Sequence, residues 1–134
     1  MIKDIPKREV TEVGIALIPE DDEKLGTLWV AHLVNLKDQA LTNILINVEG
    51  KGSINGNRKS TAKVRYLIDR LEPLSAHQIE VLLPEVLEVA NQFWVSFSSD
   101  NYLFDKKYLI PADPSGEMEL IGIPVLHTEG LWFD

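Results

Sequence analysis

Residues 93–110, FWVSFSSDNYLFDKKYLI, read as two β-strands joined by a tight polar turn. Successive side chains of an extended strand point to opposite sides. Phe93, Val95 and Phe97 therefore share one face, and Trp94, Ser96 and Ser98 the other. Ser99, Asp100 and Asn101 supply the turn, because their short polar side chains bond nearby backbone groups. On the return, Tyr102, Phe104, Lys106, Tyr108 and Ile110 fall on one side, and Leu103, Asp105, Lys107 and Leu109 on the other. Aromatic and β-branched residues at period two favour strand over helix. Six of the chain's ten aromatic residues lie in this hairpin. Each buried ring removes roughly 150–250 Å² from water, so the core is expected to be densest here. An aromatic platform for sugars or bases is the functional alternative to that core packing.

Upstream of the hairpin, Pro84 to Ala90 (PEVLEVA) suits one short helical turn, with proline at its tolerated first position. Before it, His77, Ile79, Val81 and Leu83 line one strand face, with Gln78 and Glu80 opposite. Val64, Leu67, Ile68 and Leu71 recur at helical spacing with Ser60 as a cap, yet the same stretch also alternates at period two. Strands on both sides of it favour strand. Lys63 and Arg65 then face outward, and Ala62, Val64, Tyr66 and Ile68 inward. Thr42 to Glu49 alternates cleanly, with Ile44, Ile46 and Val48 in and Asn43, Asn47 and Glu49 out. Thr27 to Leu36 is apolar on both faces, which fits a central strand covered on two sides. Val10 to Ile18 alternates as well, and Pro19 is expected to stop it. Residues 1–9 read as an extended arm.

Downstream, Pro111 to Gly116 (PADPSG) is a break. Met118 to Leu126 reads as a last strand interrupted by Gly122 and Pro124, as on a sheet edge. Leu131, Trp132 and Phe133 are unusually apolar for a chain end, and are expected to cover part of the core or to meet a partner subunit. About eight short strands, with turns every eight to twelve residues, are the signature of an all-β sandwich. The expectation is one antiparallel domain over residues 1–134, with seven to eight strands and at most one helical turn near 84–90.

The chain has 134 residues, no cysteine and a net charge of −8. The missing cysteine excludes disulfides, thiolate metal ligands and cysteine nucleophiles. The negative charge disfavours broad binding to nucleic acid or to anionic membranes. No apolar run approaches the ~20 residues of a membrane span, and MIKDIPKREV lacks the apolar core of a secretion signal. A cytoplasmic protein is expected.

Glu20 to Glu23 is a run of acids without the alternating ligands and glycine of a calcium loop, so a solvated loop is expected. Gly50 to Lys59 (GKGSINGNRK) is rich in glycine, but lacks the Gly-Lys-Ser/Thr ending of a phosphate loop. Its Asn55-Gly56 pair is a strong tight-turn signal. From Gly50 to Ile68 there is no acid, while Lys51, Arg58, Lys59, Lys63 and Arg65 are present. These five form a candidate anion site, or else they pair with the chain's acids and guard an edge strand. Ser60-x-x-Lys63 matches a motif of penicillin-recognising enzymes without its partner motifs. His32 lies on the Val30/Val34 face, as a core or interface group would. His32, His77 and His127 have no short metal-binding spacing, so no metal and no cofactor is expected.

Two resemblances accompany this reading. A second strand ending at Asn35 before a polar loop, and the run Leu71-x-Pro73-x-Ser75-x-x-x-Ile79-x-Val81, resemble immunoglobulin-like domains. The phrases Trp29-x-x-x-Leu33-x-Asn35, Leu41-x-Asn43-Ile44-Leu45-Ile46, Asn91 to Phe97 and Asp105-Lys106-Lys107-Tyr108 resemble a group of short bacterial proteins, sometimes labelled phenylalanyl-tRNA synthetase alpha subunits. That resemblance brings no catalytic residues with it. A class II synthetase core also needs far more antiparallel sheet than this chain holds, together with adenylate-binding arginines. The chain has four arginines.

The expectation is a non-catalytic interaction module, self-associating as a homodimer or binding a protein partner, with Leu131, Trp132 and Phe133 at the contact. The alternative is anion or nucleic-acid binding through Gly50 to Arg65.

Overall fold

The computed structural model describes residues 10–54, 57–60, 63–116 and 118–134, with the backbone alone over 51–54 and 57–60. The arm over 1–9, the Asn55-Gly56 turn, and Ala62 lie outside the described residues. Among the described residues the chain forms ten strands. They are β1 (Val13–Asp22), β2 (Gly26–Asn35), β3 (Leu41–Ile54), β4 (Asn57–Ser60), β5 (Val64–Leu71), β6 (Ser75–Leu82), β7 (Ala90–Ser99), β8 (Tyr102–Ile110), β9 (Ile121–Ile123) and β10 (Thr128–Phe133).

One sheet runs β6-β2-β1-β10-β9, and the other runs β4-β3-β7-β8 with β5 also on β3. Every pairing is antiparallel. The chain changes sheet after β2, β5, β6 and β8.

The β7–β8 hairpin has the faces that its alternation requires. Phe93, Val95, Phe97, Phe104, Tyr108 and Ile110 are buried, and Ser99 sits opposite Tyr102. Asp100 and Asn101 both take positive φ, 49° and 64°, so the strands join through a two-residue turn whose twist matches theirs. Phe97 stacks on Phe104 with centroids 5.0 Å apart, a contact worth about 0.5–1.5 kcal/mol beyond its buried area. Tyr108 crosses between the sheets, and its hydroxyl donates to the Val13 carbonyl at 2.7 Å. The opposing inner face comes from Ile15, Leu17, Ala31, Leu33 and Leu131, each fully buried.

Buried Asn35 ends β2 by tying two sheet crossings together. Its amide donates to the carbonyls of Gln39 at 2.9 Å and Glu72 at 3.1 Å, while its side-chain oxygen accepts from Lys37 N at 3.0 Å. Asn91 likewise holds the expected turn before β7, donating to Val86 O at 2.9 Å and Val89 O at 3.0 Å. That turn is a single 3-10 turn, Val86–Glu88, and the structure adds a second at Pro114–Gly116.

Several boundaries differ from the sequence expectation. Pro19 does not stop β1, which continues to Asp22 opposite Gly26. β10 accompanies β1 only over Ile15 to Leu17, so Pro19 lies where β1 has one strand neighbour and the missing N–H is tolerated. The acids Glu20 to Asp22 are thus strand residues, and the Asp22 carboxylate accepts from Lys24 N and Leu25 N to close the turn. Within Gly50 to Lys59, Ser53 lies opposite Arg58 and Ile54 opposite Asn57, the hairpin flanks that the Asn55-Gly56 turn signal suggests. Residues 64–71 are strand, as the period-two reading has it. The apolar chain end is itself a strand, β10. These additions raise the strand count above the expected seven to eight.

β6 shows the largest change. Its pairing with β2 shifts between Ala31 and His32, leaving Ile79 as an extra residue. A bulge of this kind reverses the facing of the residues beyond it. Ile79 and Leu82 are buried, Glu80 lies opposite inward-facing Ala31, and Val81 is exposed.

Candidate interaction face

The two sheets differ on their outer sides. On the first sheet, Ala16, Val34 and Ile123 form a second small buried cluster, covered in part by Val125, Leu126 and Trp132. Trp132 lies so close that a Cβ on Gly14 would meet its ring at 2.5 Å and the Phe133 carbonyl oxygen at 2.7 Å. Of the three expected contact residues, Leu131 is fully buried in the main core, and Trp132 and Phe133 are partly buried. Most of their apolar surface is packed within the chain.

The outer side of the second sheet is open. Leu67 is 78% exposed, Leu109 64% and Trp94 40%. The strand register sets their neighbours. Arg65 lies opposite Asn47, Asn47 opposite Trp94, and Trp94 opposite Lys107. Leu67 lies opposite half-buried Leu45, and Leu109 opposite Gln92. Beside Leu109 is a shallow hollow of ≈ 290 Å³, lined by Glu49, Ala90 and Gln92.

Polar contacts link neighbouring side chains across this face. The Trp94 Nε1–H donates to the Asp105 carboxylate, and the Lys107 Nζ stands 4.7 Å from the Trp94 ring centroid. The Arg65 Nε–H donates to Asn47 Oδ1 at 3.2 Å. Lys63 Nζ lies 3.6 Å from Glu49 Oε2. Two of the five candidate anion-binding cations are thus engaged by neighbours on β3. The side chains of the other three, Lys51, Arg58 and Lys59, lie outside the described residues.

Beneath the β5 edge, the Tyr66 hydroxyl hydrogen-bonds Glu80 on β6. Burial raises both groups' pKa values, and the Tyr66 contact pulls the carboxyl partly back. Glu80 Oε1 is buried without a hydrogen-bond partner among the described residues.

The histidines do not converge on one site. His32 is half-buried, with Nδ1 3.2 Å from the Val30 carbonyl, and burial lowers its pKa. His77 on β6 is near enough to push that pKa down further, whereas His127 is exposed in the β9–β10 turn. Among the described residues no three metal-ligating side chains gather, and no helix is long and apolar enough to cross a membrane. A hollow of ≈ 780 Å³, open to solvent, sits at the β1–β2 end and is lined by Leu25, Trp29, Leu87, Glu88 and Asp113 among others, without a histidine, lysine or arginine.

Alternation alone puts Trp94 and Leu109 on the outward side of the hairpin without marking them as a site. The signal in the sequence is that apolar side chains occupy positions where alternation calls for polar ones. No family model, no curated protein and no solved structure matches the chain.

Proposed function

We propose that this chain is a non-catalytic interaction module that self-associates through the sheet formed by β5, β3, β7 and β8. The observation that carries the reading is the charge balance of that sheet's outer side. Its described outward charges are Lys63, Arg65 and Lys107 against Glu49, Asp69 and Asp105, a sum of zero in a chain of net charge −8. The described charges of this side therefore add no net repulsion between two copies. Of the exposed apolar residues of this sheet, Leu67 stands on β5 at its edge, and Trp94 and Leu109 on β7 and β8.

Light scattering after size exclusion, over a rising concentration series, tests the proposal. The expected result is a mass climbing from 15.1 kDa toward twice that value. A mass that stays at 15.1 kDa at every concentration overturns it. Anion binding through Lys51, Arg58, Lys59, Lys63 and Arg65 is the second reading, favoured by the acid-free run from Gly50 to Ile68.

A further inference from the structure

The edges of the sandwich are not equally protected. β9 is only three residues long. β6 carries the bulge opposite Ala31 and His32. β8 turns Lys106 inward opposite Val95, with its Nζ 5.2 Å from the Tyr108 ring centroid. Shortness, bulges and inward charges all discourage a further strand from adding to an edge. β5 has none of these. It is eight residues long with no proline and no register shift, and among the described residues it pairs with β3 alone. Its centre, Leu67, is the most exposed of the described large apolar residues.

The order of residues along β5 is complementary to itself. Arg65 and Asp69 stand at equal distances on either side of Leu67, alternation gives the three the same side, and all three are exposed. We propose that two copies pair antiparallel along β5 about a two-fold axis at Leu67, joining their second sheets into one continuous sheet. This inference rests on the self-association reading above and names its contact. Leu67 then faces the partner's Leu67, Arg65 faces the partner's Asp69, and Asp69 faces the partner's Arg65. On the inward side Tyr66 faces the partner's Ile68. Opposite charges directly across an antiparallel pair attract, and like charges repel. A slip of one residue would turn one copy's core face outward. A slip of two residues would set Arg65 against the partner's Leu67 and separate the two leucines.

Charge reversal tests the register. Arg65→Asp and Asp69→Arg each set like charges opposite one another at both ends of the contact, and each is expected to weaken the dimer about tenfold or more. The double swap Arg65→Asp/Asp69→Arg restores both attractions and is expected to recover dimerisation. Mixing the two single variants is expected to give a heterodimer, because every opposed pair in it is again of unlike sign. Thermal unfolding of each variant monitors the monomer fold, and recovery in the mixture shows that both single variants are folded. Trp94→Ala separates the edge from the open face, and the dimer is expected to survive it. Dimerisation unchanged in both single charge variants overturns the β5 contact while leaving self-association standing. Loss on Trp94→Ala with both charge variants neutral moves the contact to the face. A wild-type chain that is monomeric throughout overturns both proposals.

Discussion

Glu80 faces the core side of β6 only because the bulge at Ile79 shifts the pairing. The carboxyl is half-buried, and burial raises its pKa above the usual carboxylate range, against the opposing hydrogen bond from Tyr66. Its folded-state pKa therefore exceeds its unfolded value. The group favours folding below the unfolded pKa, and that contribution is lost as pH rises through the folded pKa. At neutral pH the ionised form is a cost, of about 1 kcal/mol or less for a group this close to solvent. Glu80→Gln keeps an acceptor for Tyr66 and removes the charge. Its melting temperature is expected to exceed wild type by a few degrees at pH 7, with the gap closing below about pH 4. Parallel melting curves across pH check this, and a gap that widens toward acid contradicts it.

At the scale of elements, β10 is held to β1 by a close approach that tolerates no side chain at Gly14. A Cβ there meets the Trp132 ring and the Phe133 backbone oxygen well inside van der Waals distance. The backbone oxygen cannot rotate away as a side chain could. Gly14→Ala is expected to cost about 1–3 kcal/mol through overpacking. Trp132→Ala strips the cover from the Ala16, Val34 and Ile123 cluster. It is expected to lower stability by about 2–3 kcal/mol, below the full cost of a wholly buried tryptophan. Chemical denaturation measures both changes. Light scattering of Trp132→Ala is expected to show unchanged association, since Trp132 belongs to the closed sheet. A dissociated but equally stable variant would return the contact to the chain end.

At the scale of the whole molecule, the sandwich is closed on one side and open on the other. The first sheet is covered by the chain's own last residues, and the second shows Leu67, Trp94 and Leu109 to solvent. Net charge weighs on partner choice at this scale. A chain of −8 repels polyanions at long range, and Lys63 and Arg65 are already engaged by Glu49 and Asn47. The protein is therefore expected to pass unretained through a heparin column at low salt. Retention that is lost in Lys51→Glu/Arg58→Glu/Lys63→Glu would transfer the function to the anion reading, and its steep fall with salt would mark phosphate-like contacts.

Alternation and turn chemistry are local, and they are legible along the chain. The faces of Phe93 to Ile110, the Asp100-Asn101 turn, the outward Lys63 and Arg65, and the strand at residues 64–71 all come from period two and a few turn residues. The all-β class comes from their spacing. Other features depend on which strand lies beside which, and no period encodes that. Pro19 fits inside β1 because β10 stops short of it. Glu80 turns inward because β2 and β6 meet out of step. Trp132 is covered because β1 offers a glycine beneath it. The open face is open because no later described segment reaches it, while the tail closes its counterpart. Alternation assigns side chains to two sides of a strand, but burial depends on what stands opposite, and that is settled only when distant segments pack.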